Sequence, residues 1–279
     1  MHKIIILFFF FLCSTTFICN AQSADSDSIT TWKLIKYDAN TTYKGIKHSI
    51  LRPKDWRGKD YAKLGTLITG TVLLSFADNE VNRFVKRQAN DFPEVVRDFG
   101  WYFGSPQNYL MANAGLYGVG LFTKNQKIRK TSVLIISSSV TSGLIASISK
   151  KAFGRARPSS GLGNYYFKPF SKQARFHSFP SGHTILSVTM AHAIAKQFDN
   201  FWVKTGIYTI GAIPPISRLI DNEHWLTDIA FSAVVSIIVV DGIDAFLYNS
   251  KAYDYPERSK TISWNLKINA NQIGIVGVF

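Results

Sequence analysis

Six apolar runs, separated by short polar segments, follow one another between residues 61 and 248. The length and spacing of these runs predict helices, and the polar stretch from Asp78 to Phe103 predicts a helical connection. We therefore expect an all-α bundle of about five to six core helices over residues 61–248. The predicted helices are Tyr61–Phe76, Asn108–Phe122, Thr131–Lys150, Thr184–Phe198, Phe201–Ile213 and Leu226–Tyr248.

The same pattern bears on membrane insertion. A helix that spans a bilayer needs about 20 mostly apolar residues. Thr131–Lys150 and Leu226–Tyr248 are long enough, although the first is rich in serine and the second carries Asp228, Asp241 and Asp244. We expect a membrane-embedded bundle, and a compact soluble helical domain is the alternative.

The N-terminal region differs from the helical middle. Residues 1–21 have a basic start, an apolar run and a small residue at Ala21, which is typical of a secretory signal peptide. An uncleaved anchor helix is the alternative. Cleavage after Ala21 would remove both Cys13 and Cys19, so the mature chain would have no disulfide and no cysteine metal ligand. Residues 22–60 form a polar segment that we expect to have little fixed structure.

The C-terminal tail, residues 249–279, follows a third pattern. Apolar and polar residues alternate from Ile262 to Ile268, residues 269–272 are typical of a turn, and a second short strand is predicted from Ile273 to Phe279. This pattern predicts a C-terminal β-hairpin.

Composition narrows the classes of partner. Hydrophobic residues make up 46% of the chain, charged residues make up 18%, and the formal net charge is +14. No dense basic run accounts for this charge, which argues against a nucleic-acid-binding arm. Anionic lipid headgroups or phosphorylated substrates suit such a chain better, so we expect no nucleic acid among its partners.

A short polar turn interrupts the apolar runs and carries the sequence Phe179-Pro180-Ser181-Gly182-His183-Thr184. Ser181 is a good N-cap, and the first amides of a helix have no internal partner, so this turn can bind an anion. Gly182 leaves room for close approach, and His183 is placed to exchange a proton with the bound group. An ordinary capped helix with a surface histidine is the alternative.

A basic segment lies upstream, where Lys150 is followed by six residues and then Arg157-Pro158. Lys150 should close a helix that Gly154 breaks, and basic side chains at this end suit the helix dipole. We assign Lys151 and Arg155 no role beyond that. Arg157 precedes a proline and is therefore held extended, which aims its guanidinium at a fixed place.

A third segment, downstream, contains Ser217-Arg218 and then His224 and Asp228. On a helix, residues four apart share one face, so the Asp228 carboxylate can accept a hydrogen bond from one nitrogen of His224 and leave the other free. A purely structural His–Asp pair is the alternative. His177 and Glu223 lie close to these segments but follow no pattern of their own. We treat them as loop residues or as residues with a minor effect on the site.

Together and in this order, the three segments resemble the signature motifs of the type 2 phosphatidic acid phosphatase and vanadium haloperoxidase superfamily, in particular its bacterial membrane-associated acid phosphatase branch. The resemblance covers about residues 60–248 and implies a helical bundle whose motifs converge on one phosphate. It implies that His224 is the nucleophile, Asp228 its orienting partner and His183 the general acid. The implied phosphate-binding residues are Lys150, Arg157, Ser181, Gly182 and Arg218.

The resemblance implies a phosphatase that acts on a phosphorylated lipid or isoprenoid in the cell envelope, through a phosphohistidine and without a cofactor. Three cations can neutralise a phosphoryl group without a metal, so we expect activity to survive EDTA and vanadate to inhibit competitively. The alternatives are a soluble, broad-specificity periplasmic acid phosphatase, a vanadium haloperoxidase and an inactive lipid-binding protein. Intact His183, His224 and Asp228 argue against the last, because binding alone needs only the cations.

Charge also predicts a membrane topology. The segment Lys124–Lys130 between two apolar runs has four basic residues and no acidic one, so the positive-inside rule places it in the cytoplasm. Alternation of the following helices then brings all three motifs to the periplasmic face. Because a cleaved signal leaves the mature N-terminus outside, we expect Tyr61–Phe76 to pack on the bundle or lie at the interface.

Overall fold

The computed structural model describes residues 30–249, residue 253 and residues 263–269 and 272–278. The predicted signal peptide, residues 1–21, lies outside the described residues. Residues 30–249 form nine α-helices, and a 3-10 turn, Arg52–Asp55, joins the first two. The helices are α1 (Thr31–Leu51), α2 (Gly58–Ser75), α3 (Asp78–Gln88), α4 (Glu94–Phe103), α5 (Pro106–Phe122), α6 (Gln126–Phe153), α7 (Gly182–Ala195), α8 (Phe201–Ile220) and α9 (Leu226–Asn249).

The longest helix, α6, has clear signals at both ends. The Asn125 side chain accepts a hydrogen bond from the Ile128 amide at the N-terminus, and Gly154 ends the helix in the left-handed conformation with φ of 58°. Most of its serines and threonines, which made the run look unlike a membrane span, are buried. Ser139 and Thr141 donate to the carbonyls four residues earlier. Small side chains of this kind let neighbouring helices pack closely.

The core lies between α6, α7 and α9. Apolar side chains of these helices are almost fully buried against one another, and each such burial stabilises the fold by about 1.5 to 3 kcal/mol relative to exposure to water. The buried members on these three helices are Val133, Leu134, Ile135, Met190, Ala193, Val235, Val239, Val240, Ile243 and Leu247.

The N-terminal segment is more ordered than the sequence indicated. Residues 31–51 form α1, which packs along α6, whereas we expected little fixed structure there. An ion pair, instead of a continuous apolar face, anchors α1 to α6. In this pair the buried Asp38 carboxylate lies 2.9 Å from the buried Arg129 guanidinium. The hydroxyls of Tyr117 and Tyr253 also donate to this carboxylate. A search for apolar periodicity does not detect such an anchor.

The polar connection between the first two predicted runs consists of two helices, α3 and α4, with Pro93 immediately before the second. The predicted helical character is therefore confirmed. Their surroundings matter for function, because α3 begins at the fully buried Asp78 and α4 packs on α8.

Two helices among the described residues, Gln126–Phe153 and Leu226–Leu247, are long and apolar enough to cross a membrane by length and composition. Helix α2 contacts α9, as expected for a helix packed on the bundle, and has no fully buried residue. Its exposed side includes Ile68, Val72 and Leu73. Exposed apolar surface of this extent is typical of a contact with lipid or protein.

The C-terminal tail contains two strands instead of a helix. The strands β1 (Ser263–Asn269) and β2 (Gln272–Val278) pair antiparallel, and in the described ranges no third strand joins them. A two-stranded ribbon alone is at best marginally stable in water. The expected C-terminal β-hairpin is therefore not confirmed as an element of the fold, which is all-α.

Candidate active site

The three motif segments meet at one end of the bundle, where α6 ends and α7 and α9 begin. The indole nitrogen of Trp225 donates to the Ala156 carbonyl at 2.8 Å, which joins the third segment to the first. The Ser181 amide donates to the hydroxyl of Ser232 on α9 at 2.8 Å, which joins the second to the third. The structure therefore brings together all the residues that the motifs singled out.

His224 and Asp228 face each other across the turn that begins α9. Nδ1 of His224 lies 3.5 Å from Oδ2 of Asp228, beyond the usual hydrogen-bond range of about 2.7 to 3.2 Å. Catalytic hydrogen bonds are often long before substrate binds. The carboxylate is held by the Ser178 hydroxyl at 2.5 Å and the Trp225 amide at 2.9 Å. Because Nδ1 faces Asp228, Nε2 is the nitrogen left for chemistry.

Arg155 has a larger role than the dipole contact that we expected, and this expectation was wrong. Gly154 turns the chain out of α6, so the Arg155 side chain enters the protein and is almost fully buried. It donates to Asp228 Oδ1 at 2.6 Å and to Asp78 Oδ2 at 2.6 Å. Asp78 in turn accepts from the Thr227 amide, so one guanidinium joins α3 to the start of α9. Arg155 therefore positions Asp228.

The three predicted cations have different partners. Lys150 donates to the His177 carbonyl at 2.7 Å, and Arg218 pairs with Asp221 at 2.5 Å. Arg157 forms an ion pair with Glu223, a residue to which we had assigned at most a minor role. A bound anion would compete with Glu223 for Arg157.

The turn before α7 has the predicted capping geometry. The Ser181 hydroxyl accepts from the Thr184 amide at 3.4 Å and from the Thr184 hydroxyl at 2.9 Å, and Ser181 is fully buried. A methyl group placed on Gly182 would meet nothing within 4 Å. There is thus open space beside the first amides of α7, as an anion-binding turn requires.

Three buried polar atoms at this end of the bundle have no hydrogen-bond partner among the described residues. They are Arg157 Nε, His183 Nε2 and His224 Nδ1. Buried polar groups are nearly always paired in native proteins. His224 Nδ1 faces Asp228, so Arg157 Nε and His183 Nε2 are the two atoms of the three that a ligand could complete.

Burial and positive neighbours keep both histidines neutral in the free protein. The pKa of His183 is lowered to about 4, mainly by burial and next by the charge of Arg218. Burial also lowers the pKa of His224 to about 4, against the opposing effect of Asp228. A neutral His224 is a competent nucleophile, whereas His183 needs a nearby negative charge to raise its pKa before it can donate a proton.

Helix α4 also borders the site, and the sequence reading missed its contribution. Its backbone lies so close to the motifs that a methyl on Gly104 would come within 2.7 Å of His183 Cδ2, and one on Gly100 would collide with the Ser217 side chain. Between them, Trp101 lies against Arg218 and His183. The sequence contained one signal for this contact, because Gly100 and Gly104 are four residues apart and such spacing allows helices to approach closely.

Fold and site together define a class: an all-α bundle with three motif loops that meet around two histidines and three cations. Residues 131–250, which contain all three motifs, match the family model described as the PAP2 superfamily. This part of the chain is therefore similar to the superfamily of the type 2 phosphatidic acid phosphatases, as its motifs indicated.

Several curated proteins resemble the same part of the chain. A lipid A 1-phosphatase of Porphyromonas gingivalis is 27% identical over 132 residues, which cover 47% of this chain and 27% of that protein. A lipid A 1-phosphatase of Rhizobium etli is 41% identical over 97 residues, which cover 34% of this chain and 41% of that protein. The chain thus spans less than half the length of these relatives. A crystal structure of Aquifex aeolicus LpxE has a TM-score of 0.45 and 19% identity, and the match covers 61% of this chain and 95% of that one.

The contact between Gly104 and His183 generates a prediction. Gly104→Ala should displace the His183 ring, because its new methyl group has no room, and should lower turnover at least about tenfold, since each 1.4 kcal/mol of lost transition-state stabilisation is tenfold. Backbone strain does not enter, because φ at Gly104 is −83°. Turnover of a soluble phosphoester by the purified variant measures the effect.

Gly115→Ala on α5 is the matched control, because a methyl group there meets nothing within 4 Å. It should leave turnover unchanged and slightly raise the midpoint of thermal unfolding. Equal turnover by the two alanine variants would show that α4 does not constrain His183.

Proposed function

We propose that this protein is a phosphatase that hydrolyses a phosphomonoester or diphosphate of a lipid or isoprenoid at the periplasmic face. The observation that carries the proposal is that two unpaired buried atoms, Arg157 Nε and His183 Nε2, lie beside His224 among three cations. A tetrahedral dianion matches this combination of positive charge, donors and a nucleophile. The two lipid A 1-phosphatases support a phosphorylated lipid as the substrate.

The proposed reaction has two steps. Nε2 of His224 attacks phosphorus, the bond from phosphorus to the leaving oxygen breaks with its electron pair on oxygen, and His183 gives that oxygen its proton. Water then attacks the phosphohistidine, His183 accepts a proton from this water, and phosphate leaves with His224 restored. Asp228 orients His224 and stabilises the positive charge that its ring acquires.

The cations have a separate task, which is to hold the phosphoryl oxygens in line and offset their charge. Arg157 and Arg218 offer planar donor forks, and Lys150 offers a point charge. The described part of the chain contains no group of three or more His, Cys, Asp or Glu residues arranged to hold a metal ion. We therefore assign neutralisation of the phosphoryl group to these side chains and propose that hydrolysis needs no metal.

Exposed apolar surface favours a lipid substrate over a soluble one. The outward side of α2 and the candidate spans α6 and α9 would place the site beside a bilayer. A broad-specificity soluble acid phosphatase is the second candidate, because the anion site by itself recognises only the phosphate.

Phosphate release from a panel of lipid and soluble phosphoesters tests the function. His224→Ala should abolish release from every substrate, and Asp228→Asn should lower kcat by orders of magnitude while KM changes little, because the ring loses its orientation and charge partner. His192→Ala is the matched control, since this histidine lies on α7 but bonds Tyr208 and Asp241 instead of the site. Substantial release by His224→Ala would rule out its role as nucleophile, and a strong preference for soluble esters would favour the second candidate.

The lowered pKa of His183 sets an expected pH dependence. The free protein loses this proton as the pH rises through about 4, so the alkaline limb of kcat/KM should lie at low pH. A bound phosphoryl dianion raises the pKa of His183, so the alkaline limb of kcat should lie at higher pH. When an activated ester such as p-nitrophenyl phosphate is the substrate, the pH profile of kcat for the His183→Ala variant should lack the alkaline limb. Coinciding limbs in the wild-type protein would contradict the proposed role of His183.

The buried pair of Asp38 and Arg129 constrains the proposed topology. Arg129 lies in the first turn of α6, about 30 Å along the helix from Lys150. Because Asp38 binds there, the start of α1 and the segment Lys124–Lys130 must lie on the same side of a membrane. A cleaved signal and a cytoplasmic Lys124–Lys130 segment therefore cannot both hold. We propose that the bundle spans the membrane and that the segment Lys124–Lys130 is cytoplasmic. In this arrangement α1 also starts on the cytoplasmic side.

Single cysteines test this arrangement in a chain whose Cys13 and Cys19 are replaced by serine. In intact cells, cysteines at Lys127 and Thr31 should resist a membrane-impermeant thiol reagent, and one at Ser159, beside the site, should react. Labelling of all three would place the whole domain in the periplasm. Protection at Ser159 would contradict a periplasmic site, and different labelling at Thr31 and Lys127 would contradict the pairing of α1 with α6.

A further inference from the structure

The carboxylate of Glu223 forms an ion pair with Arg157, one of the three cations assigned to the phosphoryl group. Both side chains are partly exposed, Arg157 at 26% and Glu223 at 29%. The pair involves Nη1 of Arg157, whereas the buried Nε of the same guanidinium has no hydrogen-bond partner among the described residues. Part of the donor fork is therefore unpaired while Glu223 holds the rest.

The backbone around Glu223 is fixed independently of this ion pair. The Glu223 amide donates to the Arg218 carbonyl at 3.1 Å, and the side chain of the preceding residue, Asn222, accepts from Asn82 on α3 at 2.8 Å. Because the Glu223 side chain is partly exposed, its carboxylate can turn to water and leaves no buried charge of its own unpaired. Displacement of Glu223 from Arg157 therefore needs only the rotation of one side chain.

The other carboxylate beside the cations cannot leave in the same way. Asp221 pairs with Arg218 at 2.5 Å and also with Arg97 at 2.9 Å. An anion that displaced Asp221 from Arg218 would also disturb the pair with Arg97. In the described part of the chain, by contrast, the Glu223 carboxylate pairs with Arg157 alone. Glu223 is thus the carboxylate that can exchange with a phosphoryl group.

Three cations around one phosphoryl group also hinder release of the product. Inorganic phosphate carries the same oxygens and charge that the cations bind in the substrate, so these side chains hold both. An ester has further contacts through its leaving group, and inorganic phosphate has none. A carboxylate that competes for one of the cations therefore removes a larger share of the binding energy from phosphate than from the substrate.

We propose that Glu223 assists release of inorganic phosphate by competing with it for Arg157. This inference rests on the proposed phosphatase function and adds a residue to the end of that reaction. After the phosphohistidine is hydrolysed, the Glu223 carboxylate returns to Arg157 and phosphate departs into water. The apparent Kd for phosphate equals the intrinsic Kd divided by the fraction of the protein in which Arg157 is free, so the ion pair raises it. Glu223 acts through Arg157 and touches no reacting atom.

Calorimetric binding of inorganic phosphate to the detergent-solubilised full chain tests the inference. Glu223→Gln keeps the shape of the side chain and removes its charge, so phosphate should bind about fivefold to tenfold tighter. In an Arg157→Gln background, titrated at higher phosphate concentration, the same substitution should have no effect, because the contested cation is gone. Glu80→Gln is the matched control, since it removes one charge from an exposed pair with Arg83 on α3, and it should leave phosphate binding unchanged.

Kinetics give a second readout that a purely structural role would not produce. Glu223→Gln should lower the inhibition constant of phosphate by the same factor, while the rate of phosphohistidine formation at saturating substrate changes little. Unchanged or weaker phosphate binding by Glu223→Gln would mean that Glu223 only orients Arg157, and equal tightening in the Arg157→Gln background would mean a general effect of charge. Either result would overturn the inference while the phosphatase proposal stands.

The binding measurement also separates this inference from the proposed function, because it needs no turnover. If the wild-type protein hydrolysed no phosphoester, the phosphatase proposal would fail. The comparison of phosphate binding by the wild-type protein, Glu223→Gln and the Arg157→Gln background would still decide whether Glu223 competes with phosphate for Arg157.

Discussion

The buried carboxylate of Asp228 is the constraint on which the rest of the site depends. It binds Arg155, Ser178 and the Trp225 amide, so the loop after α6, the loop before α7 and the start of α9 all meet at one group. Removing one partner of a buried ion pair typically costs about 3 to 5 kcal/mol. The same contacts that close the fold at this end therefore fix the position of His224.

The charge balance of this network also suits the proposed chemistry. Asp78 and Asp228 carry two negative charges against the single positive charge of Arg155, and all three side chains are almost fully buried. The net charge of −1 next to His224 would be offset when its ring becomes positive as the phosphohistidine forms. In the proposed reaction, Lys150, Arg157 and Arg218 would neutralise the phosphoryl oxygens while Asp78 and Asp228 offset the charge of the His224 ring.

The sequence was informative where a local signal exists. Apolar runs predicted the helices, and the family resemblance of the three motifs implied that Lys150, Arg157, His183, His224 and Asp228 meet. It failed where the decisive contact is long-range and polar. Arg155 looked like a helix-end charge because its partner Asp78 is 77 residues away, and α1 looked unstructured because buried Asp38 replaces an apolar stripe. Trp101 belonged to no motif, and only folding places it beside His183.

The central claim is that His224 carries the phosphoryl group as a covalent intermediate, and that Asp228 and Arg155 hold His224 in place. Rapid quenching during turnover of a phosphoester with a labelled phosphate, followed by peptide mass spectrometry, tests it most directly. We expect an acid-labile phosphate on the peptide that contains His224, at near-stoichiometric yield in the early phase and with none in His224→Ala. Label on another residue, or steady turnover with no covalent phosphate at any quench time, would contradict the claim.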